Sequence, residues 1–386
     1  MLVILDATVF CSDFQMRGNA FRVFLSGFRR AGLTPCLPDS VRDEVLNKYR
    51  ENCDELAKQA AKLAHDASRL VGRDVIQAFP DKKYTDLLYS GYSSHFFRTV
   101  TMEEEFEHLP YPSISHKDLA KRASGKRRPF REHDGGYRDA LLWSAILERL
   151  TKDKQPIAFV TNNTRDFGKG KLHEHLAEDL HQAGLAQDVI TVFQTLSELN
   201  EALILPTLKR LDAVRDNLSD EVHPTSVRKW IDDSLLDLLS YEEGIGPLEP
   251  GHGRSWPSKI VNVQSISIDA TRQLSPSQIL VTATAELELS LSISADWDDY
   301  QTYEDVRELF RSEDEEPFSF ADADFPLELK VAFTLILDED TLAPISSEID
   351  WFEDDYGGKV EINPHVTDSR MRDNDEVTEQ AARASE

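Results

Sequence analysis

Cysteine is scarce. The 386 residues hold three, Cys11, Cys36 and Cys53, an odd number with no metal-ligand spacing. That excludes a disulfide framework or a thiolate zinc site and fits free thiols in a reducing compartment. Long apolar runs are also missing. No stretch approaches the roughly 20 residues needed to span a bilayer, and the opening run 2–5 is far too short for a signal peptide. The expectation is a soluble, cytoplasmic protein. Glycine is missing where nucleotide folds need it. Ala7-Thr8-Val9-Phe10 follows the first apolar run, so no glycine-rich turn is available for a dinucleotide, and no P-loop pattern occurs elsewhere. There is no Gly-x-Ser-x-Gly elbow for a serine hydrolase. A haloacid-dehalogenase-type phosphatase needs a second acid two residues after its first, and that position is Thr8. The acid runs at 296–299, 313–316 and 338–340 lack the spacing of a calcium loop and read as solvated faces. No internal repeat is present.

Charge is abundant but unevenly placed. The formal net charge is −27, yet residues 1–200 hold 28 bases and 28 acids, leaving 15 bases and 42 acids to the rest. The acidic excess therefore argues against nucleic acid as a partner of the second half only. In that half it points to a protein partner, to self-association, or to masking of a basic patch.

The organising stretch is Leu2-Val3-Ile4-Leu5-Asp6, an apolar run that ends on a carboxylate. It reads as a buried central strand delivering Asp6 to the carboxyl edge of a parallel sheet, where α/β proteins bind ligands. Further strands are expected at 33–37, 108–112, 157–161 and 188–193. They alternate with helices at about 18–32, 39–70, 139–147, 171–183 and from Thr195. Such βα alternation predicts a parallel sheet flanked by helices. Residues 201–255 read as a helical connector ending in a linker rich in glycine and proline. From Lys259 the apolar period becomes two, as in Leu327-Glu328-Leu329-Lys330-Val331-Ala332-Phe333, predicting antiparallel strands. The expected organisation is an α/β domain at 1–200, the connector at 201–255, a smaller acidic β-rich (α+β) domain at 256–364 and a disordered tail at 365–386.

Four acids share comparable positions in this reading. Asp6 ends the first strand, Glu44 lies early in the helix after the second, Asp139 opens a helix after Gly135-Gly136, and Asp166 follows the strand at 157–161. Glu44, Asp139 and Asp166 each have an ordinary alternative as a helix-terminal, capping or solvated acid, whereas Asp6, an acid ending an apolar strand, is costly unless exposed or paired. Together they predict one crowded negative site, and crowded carboxylates repel unless a cation neutralises them. An all-oxygen set suits Mg²⁺ or Mn²⁺. A basic cluster precedes Asp139, with Lys117, Lys121, Arg122, Lys126, Arg127, Arg128 and Arg131 inside fifteen residues. It is expected to attract a phosphate backbone; the alternative is a solvated loop. Arg138 and Arg165 flank two of the acids, either to hold a phosphate or to pair with the carboxylates.

Asp6 in Leu-Asp-Ala-Thr-Val-Phe, Glu44 in Val-Arg-Asp-Glu-Val, Asp139 in Gly-Tyr-Arg-Asp-Ala-Leu-Leu-Trp and Asp166 in Thr-Asn-Asn-Thr-Arg-Asp-Phe resemble the acidic motifs of PIN-domain ribonucleases. The segment 117–144, with Lys117, Pro129-Phe130 and 136–143, is most similar to a long bacterial PIN-like subfamily. The resemblance covers about residues 1–200. It implies Mg²⁺- or Mn²⁺-dependent hydrolysis of phosphodiesters in single-stranded or structured RNA, with DNA a further candidate substrate. It makes Asp6, Glu44, Asp139 and Asp166 the catalytic metal ligands, with Thr8, Thr161, Asn162 and Asn163 as support. Many PIN domains carry Thr-x-Asp-x-Asp-Phe, whereas here Asn163 stands near the first acid and an extra residue precedes Asp166. That departure implies weaker attraction for a second ion. The alternative within the resemblance is a PIN fold that binds RNA or protein and cuts weakly or not at all.

Overall fold

The computed structural model describes residues 1–71, 82–130, 135–242, 245–248, 254–294, 302, 323–356 and 358–362. Arg131, the tail at 365–386, the acid runs at 296–299 and 313–316 and much of the linker at 244–253 lie outside the described residues. The chain divides into two compact units, Met1–Leu208 and Lys209–Glu386. None of the described helices is long and apolar enough to cross a membrane.

The first unit is built on five parallel strands: β1 (Leu2–Leu5), β2 (Thr34–Pro38), β3 (Glu107–Leu109), β4 (Ile157–Val160) and β5 (Ile190–Phe193). Their spatial order is β3-β2-β1-β4-β5. Every side chain of β1 and β4 is buried, as expected for central strands covered on both faces. Between the strands run α1 (Ala7–Ser12), α2 (Asn19–Gly27), α3 (Asp39–Val71), α4 (Lys82–Phe97), α5 (His116–Ser124), α6 (Tyr137–Asp153), α7 (Thr164–Phe167) and α8 (Glu174–Gln182), with α9 (Leu196–Leu199) after β5. The helix expected to close at Gly32 ends at Gly27, and the chain turns at Gly32 with φ of 65°.

Strand order fixes where a ligand can sit. The chain steps outward from β1 to β2 to β3, then crosses back to lay β4 on the other side of β1. The order reverses there, and the carboxyl ends of β1 and β4 flank the crevice that such a reversal opens. The ladder continues one residue past each strand. Asp6 N–H donates to the Val160 carbonyl at 2.9 Å, and Thr161 N–H donates to Phe193 at 2.9 Å. Both residues are thereby pinned at the switch point.

α6 starts abruptly because Gly136, at φ of 99°, occupies a left-handed conformation against the 129–130 segment. A Cβ there would lie 2.1 Å from the Pro129 carbonyl oxygen. At the other end of the packing, the Trp143 indole N–H donates to Asp179 Oδ2 at 2.8 Å, tying α6 to α8.

The second unit begins within α10 (Leu205–Ser219) and includes α11 (Val227–Trp230) and α12 (Leu236–Leu239). Its sheet is an antiparallel meander of β6 (Arg254–Ser275), β7 (Gln278–Ser294), β8 (Ala323–Asp338), β9 (Pro344–Asp354) and β10 (Gly358–Glu361). Buried and half-buried residues alternate along β7, so one face makes the core. That core takes in Leu211, Trp230, Leu235 and Leu239 with Val281, Leu287 and Phe333, and the Trp230 and Phe333 rings stand 4.6 Å apart. The helices read from sequence as a connector thus cover a sheet. Among the described residues β6 is an edge strand, and its pairing with β7 shifts register at Pro257/Lys259, Ile260/Asn262, Val263/Ser265, Ile268/Ala270 and Gln273/Ser275.

Gly136→Ala should lower stability by about 3 kcal/mol, since both the dihedral and the Pro129 carbonyl oppose a Cβ. Gly170→Ala, also at positive φ but with open space around it, should cost about 1 kcal/mol. Urea denaturation of the two variants measures the difference.

Candidate functional site

Asp6 is 4% exposed, and a buried carboxylate needs donors. It has three. Ala7 N–H donates to Oδ1 at 2.7 Å, while the hydroxyls of Thr8 and Thr161 donate to Oδ2 at 2.8 and 2.7 Å. The threonines are themselves held. Asn162 N–H donates to Thr8 Oγ1 at 3.2 Å and Asn163 N–H to Thr161 Oγ1 at 3.0 Å. Burial still pushes the Asp6 carboxyl above its ordinary range, the hydrogen bonds pulling the other way.

Glu44, half-buried in the second turn of α3, faces the same region. Burial raises its carboxyl and the Asp6 charge adds to the rise; Arg138 and Lys48 oppose it. Cys11 senses both acids. Burial first, then the charges of Glu44 and Asp6, push its thiol up to about 11. Asp6 and Glu44 therefore share one negative region beside α1.

The other two acids stand differently. Asp139 is half-buried in the first turn of α6. The neighbouring Arg138 places Nη1 3.3 Å from Glu44 Oε1 while remaining 54% exposed. Asp166 is fully buried in α7, and Arg128 Nη1 lies 2.9 Å from its Oδ1. Among the described residues, no group of three or more His, Cys, Asp or Glu is placed to hold a metal ion. The convergence of four acids expected from the sequence is not matched: Asp166 already has a guanidinium against it. The pair Asp6 and Glu44 does fit one hard divalent ion. Both are oxygen donors, burial is the first cause of the raised carboxyl in each, and Mg²⁺ is commonly held by one or two carboxylates with water and phosphate completing its shell.

The basic cluster divides in two. Arg122 Nη2 lies 2.6 Å from Asp179 Oδ2, and its Nε donates to the Arg128 carbonyl at 2.8 Å. Arg127 pairs with Glu178 at 2.9 Å and with Asp179 at 3.2 Å. Arg128 N–H also donates to His175 Nδ1 at 3.1 Å. These three arginines fasten the 122–128 segment to α7 and α8, which corrects their reading as a surface for phosphate. Lys117, Lys121, Lys126 and Arg165 are exposed, with Lys121 only 3.9 Å from Asp118. Sequence reasoning missed Lys48, one turn beyond Glu44 on the same helix face, a spacing that could have signalled it. It also missed Asp179, whose role has no local signature.

Residues 3–167 match the family model described as PIN domain, a match consistent with a nuclease-like fold for the first unit. PIN domains are generally nucleases, typically use divalent metals and commonly bind nucleic acids. No curated protein and no solved structure matches the chain.

Two outcomes follow. Glu44 has its folded pKa raised, so the folded state holds its proton more tightly than the unfolded chain does. Its contribution favours folding at low pH and is lost as pH rises from the ordinary carboxylate range through the folded value. Glu44→Gln should therefore gain melting temperature over wild type as pH rises from 4 to 7, and Mn²⁺ should narrow the gap by stabilising wild type alone. Arg128→Ala leaves the buried Asp166 without its guanidinium and should cost about 3 kcal/mol in urea denaturation, whereas Lys117→Ala should leave stability unchanged.

Proposed function

We propose that the N-terminal unit is a metal-dependent endoribonuclease. The observation that carries this is the buried Asp6 carboxylate, fixed by Thr8 and Thr161 at the switch point of the sheet with Glu44 inside its electrostatic reach. Asp6 and Glu44 would hold one Mg²⁺ or Mn²⁺, with Asp139 at the mouth of α6 close to the substrate path. Such an ion supplies an activated water and charge stabilisation at a phosphoryl centre. Thr8 and Thr161 keep Asp6 in one orientation and spare it from losing its hydrogen bonds when a substrate excludes water. Arg138, largely exposed, exchanges Glu44 for a phosphate oxygen of the RNA. Lys117, Lys121, Lys126 and Arg165 supply further backbone attraction, and Asn162 and Asn163 brace the threonines. Asp166 supports this edge from within, through Arg128. The acidic C-terminal unit repels nucleic acid and is assigned to a protein partner or a second copy of the chain.

A second reading, an RNA-binding or protein-binding PIN fold without cleavage, is favoured by the two arginines against Glu44 and Asp166. Mutation separates the two. Asp6→Asn and Asp139→Asn should each lower Mn²⁺-dependent cleavage of single-stranded RNA by at least about 100-fold while RNA binding in metal-free buffer persists. Undiminished cleavage in both, with contaminating nuclease excluded, defeats the nuclease reading. Absence of cleavage in wild type with intact RNA binding favours the second.

A further inference from the structure

The strand order puts Glu44 and a second feature on opposite sides of Asp6. Glu44 comes from the helix after β2. Over the carboxyl ends of β4 and β5 lies a cavity of about 280 Å³ that the site described above does not use. Its floor is apolar, from Val9, Phe21 and Leu196, all buried. Its rim carries the uncharged amides Asn19, Asn162 and Gln194. Among the described residues no lysine or arginine lines it. The only ionisable group is Asp13, whose Oδ2 accepts the Gly18 N–H at 2.6 Å.

That chemistry selects a ligand class. A phosphate would meet no cation among the described lining residues and would face the Asp13 carboxylate. A planar base on an apolar floor, with its edge and sugar hydroxyls against amides, matches donor for acceptor. The cavity is also coupled to the candidate reaction centre. Asn162 belongs to its rim, and its backbone N–H donates to Thr8, which donates to Asp6.

We propose that this cavity is a ribonucleoside subsite, taking the base and ribose of the nucleotide next to the phosphate at Asp6, with its amides reading the 2′-hydroxyl. The assignment rests on the nuclease reading and adds to it the selection of RNA over DNA.

The test is binding of the full chain to a 5′-labelled single-stranded oligoribonucleotide and to its deoxy counterpart of the same sequence, by fluorescence anisotropy in chelator-treated buffer. Wild type should favour RNA by about fivefold, the worth of one hydrogen bond to the sugar. In the double variant Asn19→Ala, Gln194→Ala, RNA affinity should fall to the DNA level with an unchanged salt dependence, because phosphate contacts are untouched. Both side chains are at least partly exposed, and unaltered circular dichroism melts establish that the variant is folded. Equal affinity for RNA and DNA in wild type, or RNA preference surviving the double substitution, overturns the subsite; metal-dependent RNA cleavage alongside either result leaves the nuclease reading standing. Binding to neither nucleic acid overturns both.

Discussion

A carboxylate buried at the end of a central strand is the constraint on which the N-terminal unit depends. Asp6 could not sit 4% exposed without the Thr8 and Thr161 hydroxyls, and Thr161 reaches it only because β4 lies parallel and in register beside β1. The hydrogen bond between Thr161 and Asp6 spans 155 residues and joins the two strands where the sheet reverses its order. Pairing, burial and site geometry are therefore one arrangement: the ladder that aligns β1 with β4 also aims the groups that orient the acid.

Around that point, positive charge has two uses. Arg122, Arg127 and Arg128 are drawn inward to Asp179, Glu178 and Asp166, fixing a segment that leads into Gly136 and the start of α6. Asp179 also receives the Trp143 indole, so one carboxylate gathers three donors from two parts of the chain, the 122–128 segment and α6. Such a buried polar network specifies one arrangement when every member is satisfied. Lys117, Lys121 and Lys126 lie on the outside, and Arg138 stands between the two groups, paired with Glu44 yet open to solvent.

Much of this was legible in sequence, for identifiable reasons. A fully apolar tetrapeptide ending in an acid, repeated βα alternation and later alternation of period two each have one strong physical reading, and the two sheets follow them. The places of Asp6 and Glu44 on one sheet edge followed from strand ends and helix starts, while Thr8 and Thr161 came only with the resemblance. The fate of Asp166 and of the arginines did not. Whether a guanidinium faces water or a carboxylate some 40 to 50 positions away is decided by tertiary packing, and the sequence of 122–128 has the same charge either way. The neutral rim of Asn19, Asn162 and Gln194 carries no motif at all, because its parts come from the start of α2 and the loops after β4 and β5.

The edge strand β6 has a bearing on the chain's solubility. Its repeated slips against β7 mean that amides and carbonyls along its free side do not keep a straight two-residue rhythm. A foreign strand laid on it falls out of step within a few residues. Among the described residues this is the longest unpaired border of the acidic sheet, and it is thus a poor seed for fibril growth, its shape working alongside mutual charge repulsion to keep neighbouring molecules from zipping together.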